Sequence, residues 1–163
     1  MGSYRDRDSV AALAHTVYGG AISQWQARLE LALTRDGYCL VIARHHGIAI
    51  GYGKADHRQP VTAEDPAPAG CYLTGVVVLP GWRRYGIGSE LTLRRRDWVW
   101  QRDEHAWCFT NHQNRASVAM HERLGFNQVA QAANYLGIDF EGGRGILLRA
   151  DRPVASSPLV TQR

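Results

Sequence analysis

Val76-Val77-Val78-Leu79-Pro80-Gly81-Trp82-Arg83-Arg84-Tyr85-Gly86-Ile87-Gly88-Ser89 reads as a strand, a stop, a glycine-spaced loop and the opening of a helix. The β-branched run favours an extended, buried strand, and Pro80-Gly81 ends it because proline gives no N–H to a ladder. From about Ser89 the pattern is amphipathic and rich in helix formers. Gly86 and Gly88 allow positive φ and close backbone approach. The first amides of the helix have no intrahelical acceptor and carry the positive end of its dipole. With Arg83 and Arg84 just before the glycines, the segment offers backbone donors and planar cations to a phosphate.

Two common phosphate loops do not fit. A P-loop needs Gly-Lys-Ser/Thr, and Gly88 is followed here by Ser89-Glu90. A dinucleotide fingerprint needs a third small residue where this chain has Leu91. The spacing Arg83-x-x-Gly86-x-Gly88 after a valine-rich strand and Pro80 instead resembles the pyrophosphate loop of the GNAT acyltransferase superfamily. A second stretch, Asn114-Arg-Ala-Ser117-Val-Ala-Met-His121-Glu-Arg-Leu-Gly125-Phe126, is similar to the later motif of that family, in which a helix ends in Tyr-Glu-Lys-Leu-Gly-Phe. The strong resemblance runs from Cys71 to Phe126.

The resemblance implies an α/β (α+β) fold with a mixed central sheet flanked by helices. Two parallel strands would splay to hold the pantetheine arm of acetyl-CoA, the acyl donor, with no metal. The cofactor contacts it implies are the main chain of Val76, Val77 and Val78, the loop Arg83, Arg84, Tyr85, Gly86, Ile87, Gly88 and Ser89, and the polar Asn114 and Ser117. Gly75 would mark a bulge that frees strand amides. The Val78 N–H would stabilise the oxyanion of a direct transfer to an amine. His121 stands where the family most often has the Tyr that protonates the leaving thiolate; imidazole, titrating near ~6.5, can serve in that role, the alternative being a His121 that only hydrogen-bonds locally. Asn114, Ser117 and His121 fall at i, i+3 and i+7 and so on one helix face.

Strict alternation would place Tyr72 and Thr74 on the face of Val76 and Val78, where family members often carry a carboxylate; neither is one. Glu64, Asp65, Asp139, Glu141 or a water relay are left as candidate bases. Tyr72, Thr74, Trp82 and Tyr135 are expected near the acceptor, a small primary amine of xenobiotic, aminoglycoside or amino-acid type. The alternatives are a protein or peptide N-terminus, or an acyl-CoA sensor that has lost turnover.

Composition bounds the rest. The chain has 163 residues, 45% hydrophobic, enough for one core without disulfide or metal support. Cys39, Cys71 and Cys108 cannot all pair and read as reduced core residues of a cytoplasmic protein, and Cys108 lacks a basic neighbour that would make it a nucleophile. No apolar run reaches the roughly 20 residues of a membrane span. The charge of +4 comes with Lys54 as the single lysine among 19 basic residues, a weak guide to partners. Arg94-Arg95-Arg96 is spread around a helix and is expected to be a solvated face rather than a nucleic-acid stripe. The adjacent His45 and His46 suit a turn better than a metal site. A homodimer is allowed, though nothing in the sequence specifies one.

Along the chain, helices are expected over Asp8 to Val17 and, capped by Ser23, on to Thr34. A hairpin around His45-His46-Gly47 follows, then a Pro-rich loop from Gln59 to Gly70. Strands over Cys71–Leu79, Ala106–Thr110, Asn127–Ala133 and Arg144–Ala150 alternate with helices to about Arg102 and from Asn114. One domain over 1–150 and a loose tail over 151–163 complete the reading.

Overall fold

The computed structural model describes residues 4–154. Helices α1 (Tyr4–Tyr18) and α2 (Ile22–Leu33) precede a hairpin of β1 (Tyr38–His45) and β2 (Ile48–Arg58). Then come β3 (Gly70–Val78), α3 (Ile87–Trp100), β4 (His105–Asn111), α4 (Arg115–Arg123) and β5 (Asn127–Ala132). A small hairpin, β6 (Asn134–Tyr135) and β7 (Ile138–Asp139), leads to β8 (Gly145–Asp151). The six-stranded sheet has the order β1-β2-β3-β4-β8-β5, and only β3 and β4 are parallel neighbours.

The two faces of the sheet are covered differently. α1 and α2 bury Val10, Leu13, Leu29 and Tyr52 on one face, together with Val77 of β3. On the other, Val99, Val118 and Leu124 of the α3–α4 layer pack on Cys71, Leu73, Cys108 and Leu148. Gly19 and Gly20 (φ 73° and 79°) separate α1 from α2 in the left-handed conformation that glycine tolerates. Trp25 and Leu33 flank buried Leu29 on the expected stripe. Ser23 does not cap α2: the cap position is Ala21, whose side chain has no acceptor, and Ser23 lies inside the first turn.

β3 cannot keep one alternation throughout. Thr74 pairs with Lys54 and Val76 with Gly53, so Gly75 is an extra residue, a bulge at φ 67°. The bulge reverses which side chain faces which layer. Cys71 and Leu73 face α3, whereas beyond the bulge Val77 faces α1. The expectation that Tyr72, Thr74, Val76 and Val78 share a face is therefore corrected, because the inserted residue puts the first pair and the second on opposite faces.

Arg95 holds this bulge. Its side chain is 1% exposed, and Nη1 donates to the carbonyls of Lys54 (3.0 Å) and Gly75 (3.2 Å). Nε and Nη2 bond Leu91 O and Thr92 Oγ1, both at 3.0 Å. Gly53 makes room for it: a Cβ there would lie 2.6 Å from Arg95 Nε. Burial lowers the guanidinium pKa to about 10. The reading of 94–96 as a solvated face thus holds for Arg94, paired with Glu90, and fails for Arg95. Arg96 is also drawn inward, donating to Leu124 O and covering Trp100.

Two residues of the expected tail are held to the domain: Asp151 closes β8, and Arg152 N–H donates to Glu104 O at 2.8 Å. The rest of that reading, 155–163, lies outside the described residues. Among the described residues no helix is long and apolar enough to cross a membrane.

Candidate active site

The parallel pairing of β3 with β4 covers only Cys71↔Ala106 and Tyr72↔Trp107. Past Tyr72 the strands part, and β4 continues through Asn111 paired with β8 alone. The wedge leaves one edge of β3 open beyond the bulge. Leu79 N–H donates back to Ile50 O of β2, so strand alternation turns the main chain of Val78 and Val76 to the opposite, open edge. The Val78 carbonyl is met there by Arg83 Nε at 3.2 Å.

At the end of β3, Pro80 opens a single turn of 3-10 helix over Pro80–Trp82, and the chain then reverses through Arg84 (φ 70°) and Gly86 (φ 80°). Gly86 is the cap residue of α3 and supplies no side chain, so the first amides of the helix are left to an external acceptor. Gly88 differs from Gly86: it is helical, and a Cβ there would meet Met120 Sδ of α4 at 3.6 Å, an ordinary contact distance, so only Gly86 is required by its left-handed turn.

Between α3 and α4 lies a cleft of about 450 Å³. Val76, Val78, Trp82, Arg83, Arg84, Gly86, Gly88, Ser89, Asn114 and Ser117 all line it, so two motifs far apart in sequence meet as expected. Val77 turns its side chain to the α1 layer, and Tyr85 and Ile87 face a separate groove beside β1; these three expected contacts do not line the cleft. Sequence reasoning missed Ala116, Met120 and Arg123. Arg123 had a signal, since it holds the basic position two residues after His121 in the second motif. The donor set is what a diphosphate requires: free helix amides with three guanidinium groups.

Asn114 Oδ1 caps α4 by accepting from Ser117 N–H at 3.2 Å. His121 does follow Ser117 along the helix, with Nδ1 3.4 Å from Ser117 Oγ, but it turns inward. It is 6% exposed, packs edge-on against Phe126 and does not line the cleft. Its Nδ1 sits 2.8 Å from Ser117 O, an acceptor only, so Nδ1 carries the proton and Nε2 of the neutral ring is bare. Burial holds its pKa below the ordinary value; the Ser117 carbonyl opposes this and Arg95 reinforces it.

The proposed acceptor-side residues separate. Thr74 faces the α2 side, where Oγ1 donates to Asp56 Oδ1 at 3.1 Å. Tyr72 and Tyr135 are fully buried in one aromatic cluster with Trp107, so they are packed interior rather than open wall. Of the candidate bases, Asp65 is a loop anchor. Burial works against its charge, but N–H groups of Ala67, Val61 and Leu136 outweigh this and hold its carboxyl below the usual range. Cys39, Cys71 and Cys108 are free and buried, and burial pushes the Cys108 thiol well up, away from nucleophilic use. No group of three His, Cys, Asp or Glu among the described residues is placed to hold a metal.

Comparison with known proteins agrees with this geometry. The model of the acetyltransferase (GNAT) family matches residues 9–126. An aminoglycoside N(6')-acetyltransferase type 1 of Salmonella typhimurium is 29% identical over 108 residues, 65% of this chain and 74% of that protein. Among solved structures, an aminoglycoside N-acetyltransferase in complex with CoA superposes with a TM-score of 0.70 at 23% identity, covering 82% of this chain and 90% of that one. A ribosomal-protein-alanine N-acetyltransferase from Brucella melitensis gives 0.70 at 18% identity, covering 93% and 97%. The open edge of β3, the uncapped start of α3 with its arginines, and the family match across both motifs lead to one conclusion: the chain belongs to the GNAT family of acetyl-CoA-dependent acetyltransferases.

Proposed function

We propose that this protein acetylates the primary amine of a small molecule, with acetyl-CoA as donor. One observation carries the reading: the Gly75 bulge puts a donor cleft on one face of β3 and a second cavity, at Thr74, on the other. An amine entering from the second face meets the acyl group where the strands part. Bound acetyl-CoA supplies an activated thioester, and the chain's own work is then positioning. Arg83, Arg84, Arg123 and the first amides of α3 bind the diphosphate; Asn114 and Ser117 border the same cleft. The outward main chain of Val76 and Val78 aligns the pantetheine arm, and the Val78 N–H is the donor for the developing oxyanion.

His121 serves as proton carrier. With Nδ1–H committed to Ser117 O, only Nε2 can exchange a proton, and the depressed pKa makes the ring neutral at the start. Because the ring does not line the cleft, the exchange runs through a relay: Nε2 takes the proton released by the attacking amine and yields it to the leaving thiolate. The relatives named for aminoglycosides support a small-molecule amine. A peptide acceptor would need an open groove, whereas the cavity at Thr74 measures about 280 Å³ and is walled by α2.

The test is thiol release from acetyl-CoA across a panel of amines. Turnover that depends on the amine, with an N-acetyl product by mass, is the expected result. CoA binding without turnover for every amine would instead favour a sensor.

A further inference from the structure

The second cavity has a chemical character at odds with a polycationic acceptor. Arg28 and Arg35 come to it from α2 and the turn after it, and Lys54 and Arg58 from β2. Its one carboxylate is Asp56, buried and held by Arg58 Nε at 2.9 Å as well as by Thr74 Oγ1 at 3.1 Å. Among the described residues, Arg28, Arg35 and Lys54 make no ion pair. The wall thus presents four cationic side chains to one carboxylate, which is already engaged.

The cavity is separated from the donor cleft along β3 by Gly75 alone. Lys54 Cε lies 3.5 Å, and Nζ 3.9 Å, from where a Cβ on Gly75 would stand. Gly75 joins Thr74, on the cavity wall, to Val76, on the wall of the donor cleft. An acceptor lodged here lies among Arg28, Arg35 and Arg58 and beside Lys54 and the Asp56–Thr74 pair. Lys54 itself reports the field. Burial lowers its pKa most, and Arg58, Arg95 and Arg28 push the same way against Asp56.

We propose that the acceptor is a small amine bearing a carboxylate, of amino-acid size, held by Arg28, Arg35 and Arg58 with its amino group toward the Asp56–Thr74 pair. This rests on the acetyl-transfer reading above and narrows its substrate class. Three guanidinium groups complement one carboxylate, and the same positive field disfavours the ammonium form of the bound amine, which brings forward the neutral nucleophile. A polycation would meet like charge at every wall except the occupied Asp56.

The experiment compares kcat/KM for α-amino acids, for the carboxamide of each, and for kanamycin, using wild type and the Arg28→Gln, Arg58→Gln and Lys54→Met variants. The carboxamide has the more nucleophilic amine at neutral pH, so intrinsic reactivity works against the proposal. We expect the best acid to exceed its amide by about tenfold or more, as for one charge-assisted contact. Arg28→Gln should collapse that ratio towards one, chiefly through KM for the acid. Amides or kanamycin matching or exceeding every acid would overturn the anionic-acceptor proposal and leave the acetyltransferase reading standing. An unchanged acid-to-amide ratio in both arginine variants would overturn it too. Failure of all amines, with CoA still bound, would remove both.

Discussion

Replacing Gly53 with Ala is predicted to strike the support of the acyl-donor site without touching the site. The new Cβ would stand 2.6 Å from Arg95 Nε, 2.8 Å from Cζ and 2.9 Å from Cδ, where ordinary contact begins near 3.4 Å. The guanidinium must retreat by roughly 0.8 Å, and its four hydrogen bonds, at 3.0 to 3.2 Å, then stretch past useful length. Losing two of them at about 1.5–3 kcal/mol each costs about 3–6 kcal/mol. Less freedom in the unfolded chain returns about 0.4–1 kcal/mol, leaving a net loss of about 2–5.6 kcal/mol. At about 2–4 °C per kcal/mol for a chain of this size, Tm should fall by roughly 4–22 °C. Because the Lys54 and Gly75 carbonyls are the groups released, KM for acetyl-CoA should rise as well. The decisive measurement is a double-mutant cycle by chemical denaturation. In an Arg95→Ala background the added methyl has nothing to displace, so Gly53→Ala should be neutral there, with coupling of at least about 2 kcal/mol. Additive effects of the two substitutions would refute the clamp.

Other outcomes follow from the same geometry. Arg83→Ala should raise the Kd for CoA about tenfold or more by calorimetry, and Arg123→Ala by a comparable factor, whereas dephospho-pantetheine fragments lacking the diphosphate should bind both variants as they bind wild type. His121→Phe should depress kcat far more than CoA affinity; unchanged turnover would defeat its role as proton carrier. His121 also bears on stability. Its folded pKa lies below the unfolded value near 6.5, so the unfolded chain binds the extra proton first. Stability is fully present above about pH 6.5 and declines as pH falls toward the folded pKa. His121→Gln should flatten that decline in a series of melts between about pH 7 and 5, and an unaltered slope would contradict the assignment.

Much of the donor site was legible because it is written in local signals. A valine-rich strand, a proline stop and spaced glycines fix a strand, a reversal and a helix start within fourteen residues. Asn114 and Ser117 on one helix face mark the facing wall, and Arg123 near the helix end escapes notice. What stayed hidden depended on one inserted residue. Gly75 is readable as a bulge, yet the change of parity it imposes on Thr74 shows only in the β2–β3 register. Arg95 was equally opaque: in a run of three arginines nothing local says which one the fold buries, since that is decided by a glycine forty-two residues earlier on another strand. Asp56 lies on a strand without motif, so its partnership with Thr74 exists only through the β2–β3 register. Ser23 failed for a simpler reason, as the chain enters α2 two residues sooner and leaves the serine within the first turn.

The phase change at Gly75 makes β3 a partition whose two halves are tuned separately. Substitutions at Lys54, Asp56 and Thr74 reshape the cavity proposed for the acceptor while the cleft beyond residue 75, proposed for the nucleotide, keeps its form. Selectivity can thus drift, by selection or by engineering, with donor use held constant. Deleting residue 75 would bring the two halves back into step, swapping the chamber each later side chain serves.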